Sequence, residues 1–391
     1  MHPMVKPALR RAWRDLQYVQ FGAAPAHAVV LGPLDTTTGS LLGLLDGTRG
    51  LGLLRQEARA LGLPEGRLEA LLDRLAAAGL LDDAASGGPR PSPPPGPEQD
   101  DRGGGGGGQE RLCPDRASLS VVHREPGGAA RRLEARSAMR VQVRGAGRVG
   151  AGIAALLSAA GVGQVEVLDG GRVETWDVAP GGLPPEEVGG RRDTAARRLV
   201  RRCGPGGRSP RSAGPGRGGT AGSEPGVALV VVAPRDGLAA YAPDPRPAEA
   251  WVVTGTPHLY AGVVEATGVV GPLVLPGGTA CVRCVELERT DRDPAWLRML
   301  AQWRSGRLSL IPPCDVTLAA SVAGLAAAHA LAFLDGDLPA STGARWEVSL
   351  PLLEWRAVRV APHADCPCGA AARSVVDRAS ALGPGQDTMA G

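Results

Sequence analysis

Four cysteines stand as two close pairs, Cys281-Val282-Arg283-Cys284 and Cys366-Pro367-Cys368, with 81 residues between the pairs. Thiolates so spaced converge readily on a soft divalent metal. Four of them close a tetrahedral shell around zinc and leave no open position, which predicts a structural rather than a catalytic site. The second pair, with one intervening residue, is tighter than usual, and His363 is a reserve ligand. Two unrelated cysteine pairs in loops are the competing reading. Cys314 is of another kind. It follows Pro312-Pro313 and precedes an Ala-rich stretch, where a helix N-terminus favours a thiolate and makes it a candidate nucleophile. Asp315 beside it works the other way and raises a thiol pKa, so a structural cysteine is the plainer reading.

A second constellation fits phosphate chemistry. Val141-Gln142-Val143 leads into Gly145-Ala146-Gly147-Arg148-Val149-Gly150, then an Ala-rich helical run and a strand, Val165–Leu168, ending at Asp169. Glycines at such a turn let a phosphate approach the amides of a helix N-terminus. An acid 19 residues past Gly150 is spaced to meet a ribose hydroxyl. Further strands are expected at Leu229–Val232 and Trp251–Val253, which makes the class α/β, doubly wound and Rossmann-like.

The elements that must position these groups divide the chain. Residues 1–85 read as a strand, Ala26–Leu31, followed by helices over Ser40–Leu45, Leu51–Leu61 and Arg67–Leu75, a small winged-helix-like domain. Five arginines oppose seven acids between Asp46 and Asp83, which argues against a DNA-facing recognition helix and for peptide or protein binding. Residues 86–116, with Pro93–Pro95 and Gly103–Gly108, form an expected linker. The second domain is expected over 117–370, with a disordered insertion at 204–226 and a flexible tail at 371–391.

Composition narrows the function classes. The 391 residues carry a formal net charge of only +3, too little for bulk electrostatic binding of nucleic acid. The Ala-dominated run Thr317–Leu334 reads as a buried core helix rather than a membrane span. Met1–Asp15 shows no secretory pattern, and with paired cysteines this suggests the reducing cytoplasm. There is no Asn in the chain and a single Lys, Lys6, so any mechanism needing an active-site Asn is excluded.

Residues 139–370 resemble the ThiF/MoeB/HesA adenylyltransferases, bacterial relatives of ubiquitin-activating enzymes. The matching pieces are Gly145–Gly150, the Ala-Ala-Gly-Val-Gly stretch at 159–163, the strand ending at Asp169, and Val173-Glu174. The four paired cysteines stand where that family has its zinc ligands, and Cys314 where it has a sulfur-handling cysteine. The resemblance implies Mg-ATP, adenylation of the C-terminal carboxylate of a peptide or small carrier protein, and a possible homodimer. In an active divergent enzyme, Gly145, Gly147, Gly150, Asp169, Arg192 and Asp236 would bind the nucleotide.

The departures are specific. The family's Asn-x-x-Arg-Gln-like run is replaced by Trp176-Asp177-Val178-Ala179-Pro180-Gly181, its Lys falls near Arg192, and its magnesium-binding Asp falls near Arg235-Asp236. The small leading domain also resembles that of leader-peptide-binding partners of azoline-forming cyclodehydratases, in which that module clamps a peptide by strand addition. The expectation is therefore a peptide- or carrier-binding scaffold, with an active adenylyltransferase as the alternative. A nicotinamide-dependent dehydrogenase shares the glycine turn and acid, but nothing downstream supplies a proton relay.

Overall fold

The computed structural model describes residues 1–86, 110–206, 226–305 and 311–372. The parts of the expected linker, insertion and tail at 87–109, 207–225 and 373–391 lie outside the described residues. The chain divides into two compact units, Met1–Ser137 and the part from Ala138 onward.

In the first unit, β1 (Pro3–Val5) pairs antiparallel with β5 (Leu81–Asp83), and β2 (Arg11–Trp13), β3 (Val19–Phe21) and β4 (Val29–Leu31) form an antiparallel meander in the order β2-β3-β4. Helices α1 (Thr36–Leu44), α2 (Leu51–Ala60) and α3 (Arg67–Ala77) lie between β4 and β5. Leu68, Leu71, Leu72 and Leu75 put the apolar face of α3 into a core with Val19, Phe21 and Leu54. The Asp35 carboxylate caps α1 by accepting from Thr38 N–H. Two further helices, α4 (Cys113–Val122) and α5 (Gly128–Ala138), follow β5. They carry this unit on to Ser137, past residue 117, where the sequence places the start of the second domain. Lys6, the single lysine, is 1% exposed and donates from Nζ to the His123 carbonyl at 2.9 Å, tying β1 to the end of α4. Burial holds its pKa below the usual lysine value.

In the second unit, seven strands among the described residues form one sheet. They are β6 (Arg140–Arg144), β7 (Gln164–Leu168), β8 (Val227–Val232), β9 (His258–Val264), β10 (Thr267–Val274), β11 (Ala344–Ser349) and β12 (Arg356–Arg359). Their order is β12-β11-β10-β9-β8-β6-β7, parallel from β7 to β9 and antiparallel from β9 to β12. In β6 and β7, Val141, Val143, Val165 and Val167 alternate into the core with less buried residues between them, whereas β8 buries Leu229, Val230 and Val231 in succession, as a strand covered on both faces does.

Helix α6 (Arg148–Ala159) packs on this sheet together with α7 (Arg192–Cys203), and α8 (Gly237–Tyr241), α9 (Pro245–Thr254), α10 (Val282–Arg292) and α11 (Trp296–Ser305) complete the middle of the unit. The helix α12 (Val316–Leu334) is long and apolar enough to cross a membrane by length and composition. It buries Leu318, Val322, Ala326 and Ala330 in the core instead. A Cβ on Gly152 of α6 would come within 3.1 Å of the Ala323 Cβ, so small residues set how closely the two helices approach.

The expected strand at Trp251–Val253 is wrong: these residues are helical, within α9. Pro245 at the helix start, the Asp244 carboxylate accepting from Arg246 N–H and left-handed Gly255 at the end are helix signals that outweigh a bulky apolar triplet. The strand beside β8 is β9.

The β9–β10 hairpin turns on Glu265-Ala266, both with positive φ, 46° and 61°. A turn of this hand is usually Asn-Gly, and a chain without Asn uses two residues that pay a steric cost there. Ala266→Gly is expected to stabilise the unit by about 1 kcal/mol, raising Tm by about 2–4 °C. An unchanged or lower Tm in thermal unfolding would contradict this.

Candidate functional site

The glycine turn sits between β6 and α6. Gly145, with φ 113°, passes so near the end of β8 that a Cβ would lie 2.0 Å from the Ala233 carbonyl oxygen. A Cβ on Gly150 would lie 2.2 Å from the Gly145 carbonyl oxygen. Both glycines are therefore required by backbone crossing alone. Gly147 is buried, and the Arg235 side chain covers it, its Cγ 3.3 Å from where a Gly147 Cβ would stand.

Asp169, at the end of β7, has both carboxylate oxygens engaged. It accepts from Ala146 N–H at 2.8 Å, Gly171 N–H at 2.9 Å and Arg192 Nε at 2.8 Å. Burial pushes its pKa up, but these hydrogen bonds outweigh it and hold the carboxyl below the usual range. Arg192, the first residue of α7, also donates from Nη1 to the Arg172 carbonyl at 2.7 Å and to Asp177 at 3.4 Å. Asp177 is 2% exposed and accepts from Arg235 Nε at 2.7 Å. Burial raises its pKa despite Arg192. Arg235 further pairs with Glu174, which forms a capping box with Asp177 around the helical turn Thr175–Asp177. Three carboxylates and two guanidiniums thus interlock across the mouth of the turn.

Under this lattice, Gly147, Arg148, Gly150, Trp176, Asp177, Arg235 and Cys314 line a cavity of about 20 Å³, room for one water. Cys314 lies in this lining beside the turn, and Arg148 Nη1 donates to its carbonyl at 2.7 Å. Burial pushes the Cys314 thiol up, Arg148 opposes this and Asp315 adds to it. The Asp315 carboxylate caps α12, accepting from Thr317 and Leu318 N–H. Asp236 instead caps α8 by accepting from Leu238 N–H at 3.0 Å. It faces a neighbouring cavity of about 430 Å³, which Arg192, Arg235 and Glu265 also line.

Sequence reasoning treats Asp177 and Glu174 as family markers or departures and does not see them as partners of arginine. The available signal was Arg235 itself, a cation where the family carries a magnesium-binding acid.

The four paired cysteines converge. Cys281 caps α10, Cys284 lies in its first turn, and Cys366 and Cys368 follow β12. The sulfurs of Cys281 and Cys284 are 3.9 Å apart, those of Cys281 and Cys366 3.6 Å, and those of Cys284 and Cys368 3.6 Å. Tetrahedral zinc with bonds of about 2.3 Å requires sulfurs about 3.8 Å apart, so the cluster fits a metal ion. The hydrogen bond between Cys281 and Cys284 draws the Cys284 thiol below its usual range and pushes Cys281 up. His363, the reserve ligand, is engaged elsewhere: its Nε2 meets Asp291 at 2.8 Å, which raises its pKa.

A Rossmann-like sheet with this glycine turn and a distant four-cysteine cluster defines an adenylyltransferase-like fold. The family model of the ThiF family matches residues 124–368, and the chain belongs to that family. Among solved structures it is similar to MccB of E. coli with succinimide, at 14% identity over 94% of this chain and 99% of that one, with a TM-score of 0.65. It is similar to E. coli MccB with ATP at 14% identity over 94% and 99%, with a TM-score of 0.62. It is also similar to PaaA at 17% identity over 92% and 100%, with a TM-score of 0.60. A further match is MccB, described as a microcin C7 biosynthetic enzyme, in complex with N-formylated MccA, at 13% identity over 94% and 100%, with a TM-score of 0.64. These likenesses establish the fold. Comparison with curated proteins gave no match.

Proposed function

We propose that this ThiF-family protein binds a peptide or small carrier protein as a scaffold and does not adenylate it. The observation that carries this reading is the lattice of Arg192 and Arg235 with Asp169, Asp177 and Glu174. It occupies the space over Gly147 and commits the carboxylate that would meet a ribose. A nucleotide entering there has to draw Arg235 from Asp177 or Arg192 from Asp169, pairs whose carboxylates are buried, and breaking a buried pair costs several kcal/mol.

A peptide partner is supported by the first unit, where β2 and β4 are both edge strands and β2 is exposed along its length. An exposed edge accepts an extended peptide by main-chain hydrogen bonds. Trp13, Leu16 and Tyr18 beside it are exposed apolar anchors. The solved MccB structure with N-formylated MccA makes a peptide the natural class of partner. The four cysteines serve best as a structural zinc site, and Cys314, with its raised pKa and half-buried side chain, as a structural cysteine.

The retained turn Gly145–Gly150 at the N-terminus of α6 favours the second reading, a divergent adenylyltransferase using Arg192, Asp236 and Mg-ATP. Calorimetry with millimolar Mg-ATP, and pyrophosphate exchange with candidate peptides, separate the two. The scaffold predicts no heat of nucleotide binding and no exchange. Peptide-stimulated exchange would overturn it.

A further inference from the structure

The C-terminal end of α8 leads into a cluster that neither site uses. The Arg289 guanidinium lies 4.3 Å from the Tyr241 ring centroid and 4.7 Å from that of Trp296, and the Arg345 guanidinium lies 4.6 Å from the same Tyr241 ring. Both arginines donate from Nη1 to the Tyr241 carbonyl, at 3.1 and 3.4 Å, so one oxygen holds two cations close together. Glu347 pairs with Arg345. Glu288, on the same helix as Arg289, is taken by Arg292 at 2.7 Å. Among the described residues, Glu347 is therefore the one carboxylate in a direct ion pair with these guanidiniums, with Glu288 acting on Arg289 at longer range, in a buried place where Arg345 is 7% and Trp296 9% exposed. Burial first, and then the neighbouring Arg345, pull the Arg289 pKa down to about 10.

Among the described residues this cluster holds three buried donors without a hydrogen-bond partner, Arg289 Nη2, Arg345 Nε and Trp296 Nε1, and one such acceptor, Glu347 Oε1, which the Arg345 Nη2 ion pair already occupies. Buried polar groups are normally satisfied, and buried charge is normally compensated. A water would answer the hydrogen bonds and leave the excess positive charge. A negatively charged acceptor answers both.

The donors are one N–H from each of three side chains. A bidentate oxyanion prefers two parallel N–H groups of a single guanidinium, and neither arginine has two unpartnered buried N–H groups to offer, Arg345 Nη2 being paired with Glu347. Ala242, Leu300, Met299 and Leu238 pack around the cluster, which favours a small spherical acceptor over a phosphate.

We infer that Arg289, Arg345 and Trp296 form a binding site for a compact anion of chloride size. The anion stabilises the second unit by compensating the paired arginines, and this is independent of whether nucleotide or peptide binds elsewhere.

The test is thermal unfolding of the full chain at constant ionic strength, with chloride replacing bulky gluconate stepwise. Tm is expected to rise saturably with chloride, as mass action requires for a ligand of the folded state, and bromide is expected to substitute. Trp296→Phe keeps the ring and removes one donor, and is expected to shift the chloride midpoint upward about tenfold. Arg345→Met is expected to abolish the dependence. If that variant does not fold, the Trp296→Phe titration decides alone. In crystals grown with bromide, an anomalous peak is expected within hydrogen-bond reach of the three donors. Equal Tm in chloride and gluconate, an unshifted midpoint in Trp296→Phe, or bromide absent from the donors would overturn the inference.

Discussion

Replacing Cys284 with Ser is expected to empty the four-cysteine site and to destabilise the second unit by about 5 kcal/mol or more. Cys284 is fully buried, and its sulfur lies within bonding range of a common metal with Cys281, Cys366 and Cys368. The cluster joins the N-terminus of α10 to the segment after β12, two places far apart in the chain. Those segments meet in a cluster that includes Tyr260, Val274, Val282, Val285 and Val360, and three of its ten buried residues are cysteines of the site itself, so losing the ion strikes the middle of this core. Without the ion, four sulfurs at these distances must keep their protons or repel as thiolates. A hydroxyl is a harder and more weakly acidic ligand, so Ser restores neither charge nor bond. Protein purified without chelators should carry one zinc per chain, and Cys284→Ser close to none, with a lower urea midpoint. Wild-type protein free of zinc, or a variant within 1 kcal/mol of wild type, would defeat the assignment.

Much of this arrangement was legible in the sequence because it is written locally. The turn Gly145–Gly150, the strand ending at Asp169 and the close spacing of each cysteine pair are short-range patterns with a fixed geometric meaning. The pairing of Cys281 with Cys366 was legible as chemistry only; the 3.6 Å contact depends on how the sheet brings the segment after β12 back. Arg235 was visible as a misplaced charge, but its partners, Asp177 and Glu174, lie 58 and 61 residues away in the chain, and no local pattern announces them. The strand expected at Trp251–Val253 failed for a local reason. Three bulky apolar residues suit a strand or a helix equally, and only the capping residues Asp244 and Gly255 decide between them. The two-arginine cluster around Tyr241 draws on α8, α10 and β11, and was not legible at all.

Arg192→Met is expected to cost about 3–5 kcal/mol of stability, an effect out of proportion to a helix-end arginine on an otherwise solvated basic helix. Its neighbours on α7 illustrate the contrast: Arg197 and Arg198 are exposed, and pairs of that kind contribute little. The Arg192 side chain is 12% exposed, between Asp169 at 9% and Asp177 at 2%. Removing it leaves two carboxylates near each other with Arg235 as their remaining cation, and Arg235 already serves Glu174. Their mutual repulsion raises both pKa values, so the variant should lose further stability as pH rises through the carboxylate range, where wild-type Asp169 is already ionised. Adding Asp177→Asn should recover part of the loss by removing one of the stranded charges, a non-additivity that a double-mutant cycle reads directly. Urea unfolding of the wild type, both single variants and the double variant, at pH 5 and 7, measures all of this. If Arg192→Met stays within 1 kcal/mol of wild type, the lattice is not a structural substitute for bound nucleotide. The arginines would then be free to turn toward a phosphate, and the enzymatic reading would gain what the scaffold loses.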